Sequence, residues 1–282
     1  MILPIQESHY AKNRIDFFLK LALRKRQLEG LKLQSVALKE KSGRKETLSV
    51  SDLAKPPCAL WYNLQNAPKT ETDEGSQFGF DTGHILESYI LDLLEVPKRQ
   101  LELDWPYPMA PKGRIFGHPD GYIEGLLSDC GLVIECKATG GYSFNKKLEE
   151  GPDKSHIEQA FCYATRLKAR FFAIVYANRE AKKATPFYAV FAYQINDFAL
   201  AKKAVRSLFH ERFLPVLMAE KRPASPSKPS YEFGPRGWRC RPDKTYTARG
   251  KTNFQVGYCE YRSICPEAKA YKADLEAKEA LA

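Results

Sequence analysis

Asp120, Glu135 and Lys137 are the residues of this sequence whose types and spacing best suit joint chemistry. Glu135 and Lys137 stand two apart in Leu132-Val-Ile-Glu-Cys-Lys, a short apolar run that reads as a strand. Side chains alternate faces along a strand, so these two share a face and Cys136 points the other way. If the strand bearing Asp120 lies alongside, two carboxylates and an ammonium converge at one end of a sheet. Such hard oxygen ligands suit Mg²⁺ or Mn²⁺, which polarise a phosphodiester, offset its charge and lower the pKa of a bound water. Lys137 then orients that water or steadies the developing charge. Each fragment alone has a plainer reading: Asp120-Gly121 is a common hairpin turn, and a Glu-x-Lys pair on a strand is often a surface ion pair. The apolar run Leu132-Val-Ile distinguishes the combination, because it leads a buried strand into Glu135, where a carboxylate is costly unless paired or metal-bound.

The elements that must position these residues follow from periodicity. Residues 8 to 40 read as a helix with Ile15, Phe18, Leu19, Leu23 and Leu28 near a helical period, and Ser51 as the N-cap of a short helix. Residues 65 to 77 read as a polar loop and Phe78 to Leu94 as a helix. The period then alternates around Leu101, Leu103 and Trp105, with further strands at Arg114 to Gly117 and Gly121 to Glu124 flanking His118-Pro-Asp. Asp153 to Leu167 reads as a helix, Phe171 to Tyr176 and Phe187 to Ile195 as strands, and a helix capped by Asn196 or Asp197 runs to about Met218. This order implies an α/β fold, a mixed central sheet with helices on its faces. The expected organisation is a basic helical extension over 1–50, a core over 51–220, a Pro- and Ser-rich linker over 221–237, and a Cys-rich cap with a terminal helix over 238–282.

Composition sets the partner class. Lys and Arg outnumber Asp and Glu by 44 to 34, a formal charge of +10 that favours a polyanion. Residues 1 to 50 carry eleven Lys or Arg against five acids, which describes a solvated helix as well as a phosphate-binding arm. No apolar run approaches the roughly 20 residues of a membrane span, and no secretory leader pattern is visible, so a soluble, cytoplasmic protein is expected. Seven cysteines in such a chain point to buried thiols or metal ligation rather than disulfides.

In Gly117-His-Pro-Asp-Gly-Tyr-Ile and Val133-Ile-Glu-Cys-Lys-Ala-Thr the sequence resembles the RecB-like branch of the PD-(D/E)XK nucleases. Upstream, Gly83-His84-Ile-Leu-Glu87 is similar to the branch's helical motif, and downstream Gln159-Ala-Phe-Cys-Tyr163 to its Gln-x-x-x-Tyr motif. The resemblance implies a restriction-endonuclease-like core and a metal held by His84, Asp120, Glu135 and the Cys136 carbonyl. It also gives Gln159 and Tyr163, on one helical face, the task of holding scissile DNA or Lys137. Taken alone, His84 is as readily a packed or surface histidine, and Tyr163 a core aromatic. His118 and His156 rank behind His84 as neighbours of the site or exposed side chains.

Some relatives of this branch carry a 4Fe-4S cluster on one early and three late cysteines. Cys58, Cys240, Cys259 and Cys265 resemble that set, although eighteen residues separate Cys240 from Cys259 where the family has a close pair. Four thiolates bind zinc equally well, so only the resemblance favours iron. Cys130, Cys136 and Cys162 read as small buried hydrophobes. The implied activity is a metal-dependent DNA exonuclease acting on single-stranded ends in recombination, repair or phage DNA metabolism. The alternatives are a CRISPR-associated nuclease trimming DNA for spacer acquisition with protein partners, a non-cleaving DNA-binding subunit, and a nuclease lacking any cluster.

Overall fold

The computed structural model describes residues 3–29, 47–55, 57–72, 74–127, 130–182 and 185–219, the segments 231–234 and 237–240, and residues 261, 263 and 264. In chain order the first elements are β1 (Ile5–Glu7), α1 (His9–Glu29), β2 (Leu48–Ser49), α2 (Pro57–Leu64) and α3 (Glu74–Leu93). The strands β3 (Lys98–Arg99), β4 (Leu103–Pro106), β5 (Arg114–Gly117), β6 (Gly121–Leu127) and β7 (Cys130–Thr139) follow. Then come α4 (Gly141–Glu150), α5 (Lys154–Leu167), β8 (Phe171–Asn178), β9 (Tyr188–Ile195), α6 (Phe198–Arg212), α7 (Leu214–Leu217), β10 (Tyr231–Gly234) and β11 (Gly237–Cys240).

Among the described residues the main sheet has six strands in the order β1-β9-β8-β7-β6-β3, with β7 and β8 parallel and the other neighbours antiparallel. All of β8, Phe-Phe-Ala-Ile-Val-Tyr-Ala-Asn, is buried, as an interior strand covered on both faces requires. Strand alternation sorts the core. Leu132, Ile134, Cys136, Ala173 and Val175 face Ala11, Ile15 and Leu19 of α1 and Ile90 and Leu91 of α3. Val133, Phe172, Ile174 and Tyr176 face Phe161 and Tyr163 of α5 and Ala204, Val205 and Leu208 of α6. Glu135 and Lys137 keep phase with Val133 and therefore belong to the α5 side.

A second sheet of three strands, β2-β5-β4, lies against α5 through Leu48, Trp105 and Ile115. Consecutive strands β5 and β6 thus belong to different sheets, and His118-Pro-Asp120 is the crossover between them rather than a hairpin turn. Two glycines make the crossover possible. A Cβ on Gly117 would sit 2.5 Å from the Tyr163 ring and 3.2 Å from that of Trp105; one on Gly121 would sit 2.9 Å from Val96.

Several expectations are corrected. The segment 1–50 is not an appendage where it is described: β1 pairs with β9, and Ala11, Ile15 and Leu19 are fully buried. Periodicity shows that α1 is amphipathic, but not that its apolar stripe completes the core. Residues 30 to 46 of the expected 8–40 helix lie outside the described residues. The short helix after β2 is a 3-10 turn, Val50–Ala54, entered at Ser49 rather than Ser51, because Asp52 Oδ2 accepts the Ser49 N–H at 2.8 Å. Helix α3 begins at Glu74, within the expected loop, and α4 was not foreseen. The last long helix breaks at Phe213, where Pro215 follows, after a start at which Asp197 accepts the Ala199 and Leu200 N–H groups. Inside the expected linker, Tyr231–Gly234 is a strand paired with Gly237–Cys240. Most of the expected cap, with its terminal helix, lies outside the described residues.

Gly117→Ala is expected to lower stability by about 1–3 kcal/mol, since neither ring beside it has room to retreat. Thermal denaturation would show this as a lower Tm, whereas an unchanged Tm would mean that the crossover tolerates a side chain.

Candidate active site

The crossover delivers Asp120 to the start of β6, and the β6–β7 register sets Gly121 opposite Ile134, one residue before Glu135. Asp120 Oδ2 accepts the Cys136 N–H at 2.7 Å, which fixes one carboxylate against the backbone that carries the other. Lys137 Nζ forms an ion pair with Glu135 Oε1. Asp120 is 8% exposed and Glu135 1% exposed, so both are buried carboxyl groups at the sheet margin.

Electrostatics follow from that burial. Burial pushes the Asp120 carboxyl up, against the pull of Lys137, the Cys136 N–H and Gln100. Burial first, and then the charge of Asp120, push Glu135 up to about 8. Burial works against the Lys137 ammonium, yet Glu135 and Asp120 outweigh it and keep the lysine protonated. Two carboxylates close enough to oppose each other's ionisation, with one cation between them, form a site short of positive charge. Glu135 Oε2 is buried and has no hydrogen-bond partner among the described residues. An orphaned carboxylate oxygen of this kind, beside a second carboxylate, fits a divalent cation with hard oxygen ligands.

The structure brings Asp120, Glu135, Lys137, Gln159 and Tyr163 into one neighbourhood. Gln159 Nε2 donates to Tyr163 Oη at 3.2 Å along one face of α5. Tyr163 is 1% exposed and packs on Trp105, so it is a core aromatic whose hydroxyl end reaches the site. Burial and then Glu135 raise its phenol well above the usual range, and it stays protonated. His84 stands at the rim of this group: its side chain is 66% exposed, its Nδ1 lies 3.7 Å from Glu87 Oε2, and its charge favours the ionised form of Asp120. Among the described residues no three His, Cys, Asp or Glu side chains close around a common point.

Two residues that sequence reasoning assigned no role stand at the site. Gln100 Nε2 donates to Glu87 Oε1 at 3.0 Å and to Asp120 Oδ1 at 3.2 Å, tying the helix α3 carboxylate to the crossover carboxylate. Gln100 adopts φ 51°, a left-handed conformation uncommon for a side-chain-bearing residue. Glu87 had a signal, its place one turn after His84 on α3. Gln100 had none, because its partners lie 13 and 20 residues away.

Of the expected cluster ligands, Cys58 is buried on α2. Cys240 ends β11, and Cys259 and Cys265 lie outside the described residues. Tyr261, between the last two, stacks on Tyr62 of α2 at 5.3 Å and donates to Asn63 Oδ1 at 3.3 Å. Ser263 and Thr70 share hydrogen bonds of 2.9 and 3.1 Å. Cys130 is half-buried and Cys162 buried, and burial raises the Cys136 and Cys162 thiols, as expected of cysteines used as hydrophobes. No helix among the described residues is long and apolar enough to cross a membrane.

The architecture is thus a mixed α/β sheet, flanked by helices, with buried carboxylates at its margin. No family model matches the chain, and no curated protein matches it. Among solved structures, SSO0001 aligns over 90% of this chain and 96% of its own, at 18% identity and a TM-score of 0.44. The alkaline exonuclease LHK-Exo from Laribacter hongkongensis aligns over 62% of this chain and 92% of its own, at 16% identity and a TM-score of 0.39. Its complex with dAMP aligns over 61% and 91%, at 16% identity and a TM-score of 0.41.

The site itself makes a testable statement. A group whose folded pKa is raised contributes stability present below its unfolded pKa and lost as pH rises through the folded value. With Glu135 near 8, the metal-free protein is expected to lose stability between about pH 4.5 and 8. Mg²⁺ or Mn²⁺ should restore it, and Glu135→Gln should flatten the slope. Tm measured against pH in EDTA checks this, and a Tm that rises across that window would contradict it.

Proposed function

We propose that this chain is a divalent-metal-dependent deoxyribonuclease of the PD-(D/E)XK class that hydrolyses phosphodiester bonds at DNA ends, as an exonuclease. The observation that carries this reading is the buried Asp120–Glu135–Lys137 set with one unpartnered carboxylate oxygen. Asp120, Glu135 and the Cys136 carbonyl would hold Mg²⁺ or Mn²⁺. When bound, such an ion offsets phosphate charge and lowers the pKa of a water nucleophile.

The chain's own groups do the rest. Lys137, held protonated, steadies the charge that builds on the phosphate and can orient the attacking water. Gln100 fixes Asp120 and Glu87 relative to each other, so that the carboxylates need little reorganisation when the substrate arrives. A cavity of about 560 Å³ opens beside the crossover, lined among others by Gln100, His118, Phe116, Asn63, Lys55 and Lys69. That is room for a nucleotide. The formal charge of +10 supplies the attraction for a polyanion.

The reading extends to a 4Fe-4S cluster on Cys58, Cys240, Cys259 and Cys265, with structural zinc as the other occupant of four thiolates. Its support is the docking of Tyr261 and Ser263 on and beside the helix that carries Cys58. The cluster's task would be structural, tying the tail to α2.

End-labelled single- and double-stranded DNA incubated with Mn²⁺, Mg²⁺ or EDTA tests the activity. Metal-dependent shortening is expected, reduced at least about 100-fold in Asp120→Ala, Glu135→Ala and Lys137→Ala. No cleavage of any end structure by folded protein would replace the reading with a DNA-binding subunit. Iron and zinc analysis of anaerobically purified protein is a separate check. About four irons and visible absorption, both lost in Cys58→Ala, are expected, whereas zinc alone would assign the thiolates to zinc, and neither metal would remove the cluster.

A further inference from the structure

His156, Gln159 and Tyr163 recur at spacings of three and four on α5 and so occupy one stripe of that helix. The stripe runs beside the strand of Glu135 and Lys137. Tyr176 is the register partner of Lys137 across the parallel β7–β8 pair, and registered residues leave the same face of a sheet. Tyr176 Oη lies 2.7 Å from His156 Nδ1, which places the imidazole near enough to Lys137 to feel its charge.

One arrangement of the hydrogen bonds leaves Nε2 as a donor. Tyr176 Oη accepts the Asp153 N–H at 3.1 Å, and its single proton is then directed to His156 Nδ1. The Asp153 carboxylate is more distant from Nδ1, at 3.6 Å, and is engaged by Lys147 Nζ. In that arrangement Nδ1 is the acceptor and Nε2 carries the proton. Burial first, and then the Lys137 charge, hold the imidazole neutral, with Lys147 acting in the same direction and Asp153 against it. A neutral ring with an Nε2–H donor, its side chain 24% exposed and Lys137 and Lys147 near it, suits an anionic oxygen as its ligand.

Building on the nuclease reading, we propose that His156 is a phosphate-contacting residue of this site. Its Nε2–H donates to a non-bridging phosphate oxygen of the bound strand on the Lys137 side, and Tyr176 acts as the positioning residue that sets ring and tautomer. As a donor that stays neutral, His156 binds the strand without adding charge that would compete with the metal.

The test uses oligonucleotides carrying a single methylphosphonate, stepped along the strand, in which one non-bridging oxygen becomes a methyl group. Wild type should lose about 10- to 100-fold in cleavage when the contacted phosphate is replaced, the range for a hydrogen bond to a charged group. His156→Phe should lose a similar factor on unmodified DNA and show no further penalty at that one position. His156→Gln, which keeps an N–H donor, should recover part of the loss, and Tyr176→Phe should show a smaller one. Thermal denaturation monitors folding of each variant. If wild type cuts but no position loses its penalty in His156→Phe or His156→Gln, the pair is only a pin between α5 and β8 and the proposal falls alone. If wild type cuts nothing, the nuclease reading falls and takes this one with it.

Discussion

Two carboxylates buried at one sheet margin are the constraint around which the molecule is organised. Placing Asp120 and Glu135 side by side out of water is unfavourable, and the fold offsets it with an ammonium, a backbone N–H and an amide, from Lys137, Cys136 and Gln100. These groups come from β7 and from the end of β3, so the two strands flanking β6 must be in register before the charges are compensated. The compensation is incomplete, since one Glu135 oxygen finds no partner among the described residues. That residual deficit is what makes the arrangement look like a site for a cation and a phosphate rather than a structural ion pair.

The surrounding packing can be read as support for this arrangement. Tyr163 fills the space a side chain at residue 117 would need, and Val96 with Leu91 does the same at residue 121. Asp120 is thereby flanked by two backbone positions with little freedom. A carboxylate carried between two sheets would otherwise move whenever one sheet moved against the other.

Much of this was legible in the sequence because the informative signals are local. Leu132-Val-Ile-Glu-Cys-Lys reports its own face alternation, and Asp153 before an apolar helical stripe reports α5. Gln159 and Tyr163 are likewise legible as one turn of helix. What was hidden depends on distant partners. No local pattern shows that β5 and β6 separate into different sheets, that residues 5 to 7 add a strand beside β9, or that Gln100 turns back to bridge Glu87 and Asp120. For His84 motif order favours a place in the site; its side chain is largely exposed, yet its charge acts on Asp120.

The main sheet ends in very short strands, three residues of β1 at one margin and two of β3 at the other. The β3 margin is Lys98-Arg99, charged and exposed. Edges this short offer little unpaired backbone to another chain, and charge there discourages strand addition. Many copies of a basic protein gathered along one polyanion would meet at high local concentration, where an open sheet edge would recruit its neighbours into aggregates. Here the fully buried strand β8 lies two strand positions from one rim and three from the other, so the apolar centre of the sheet is held away from both edges.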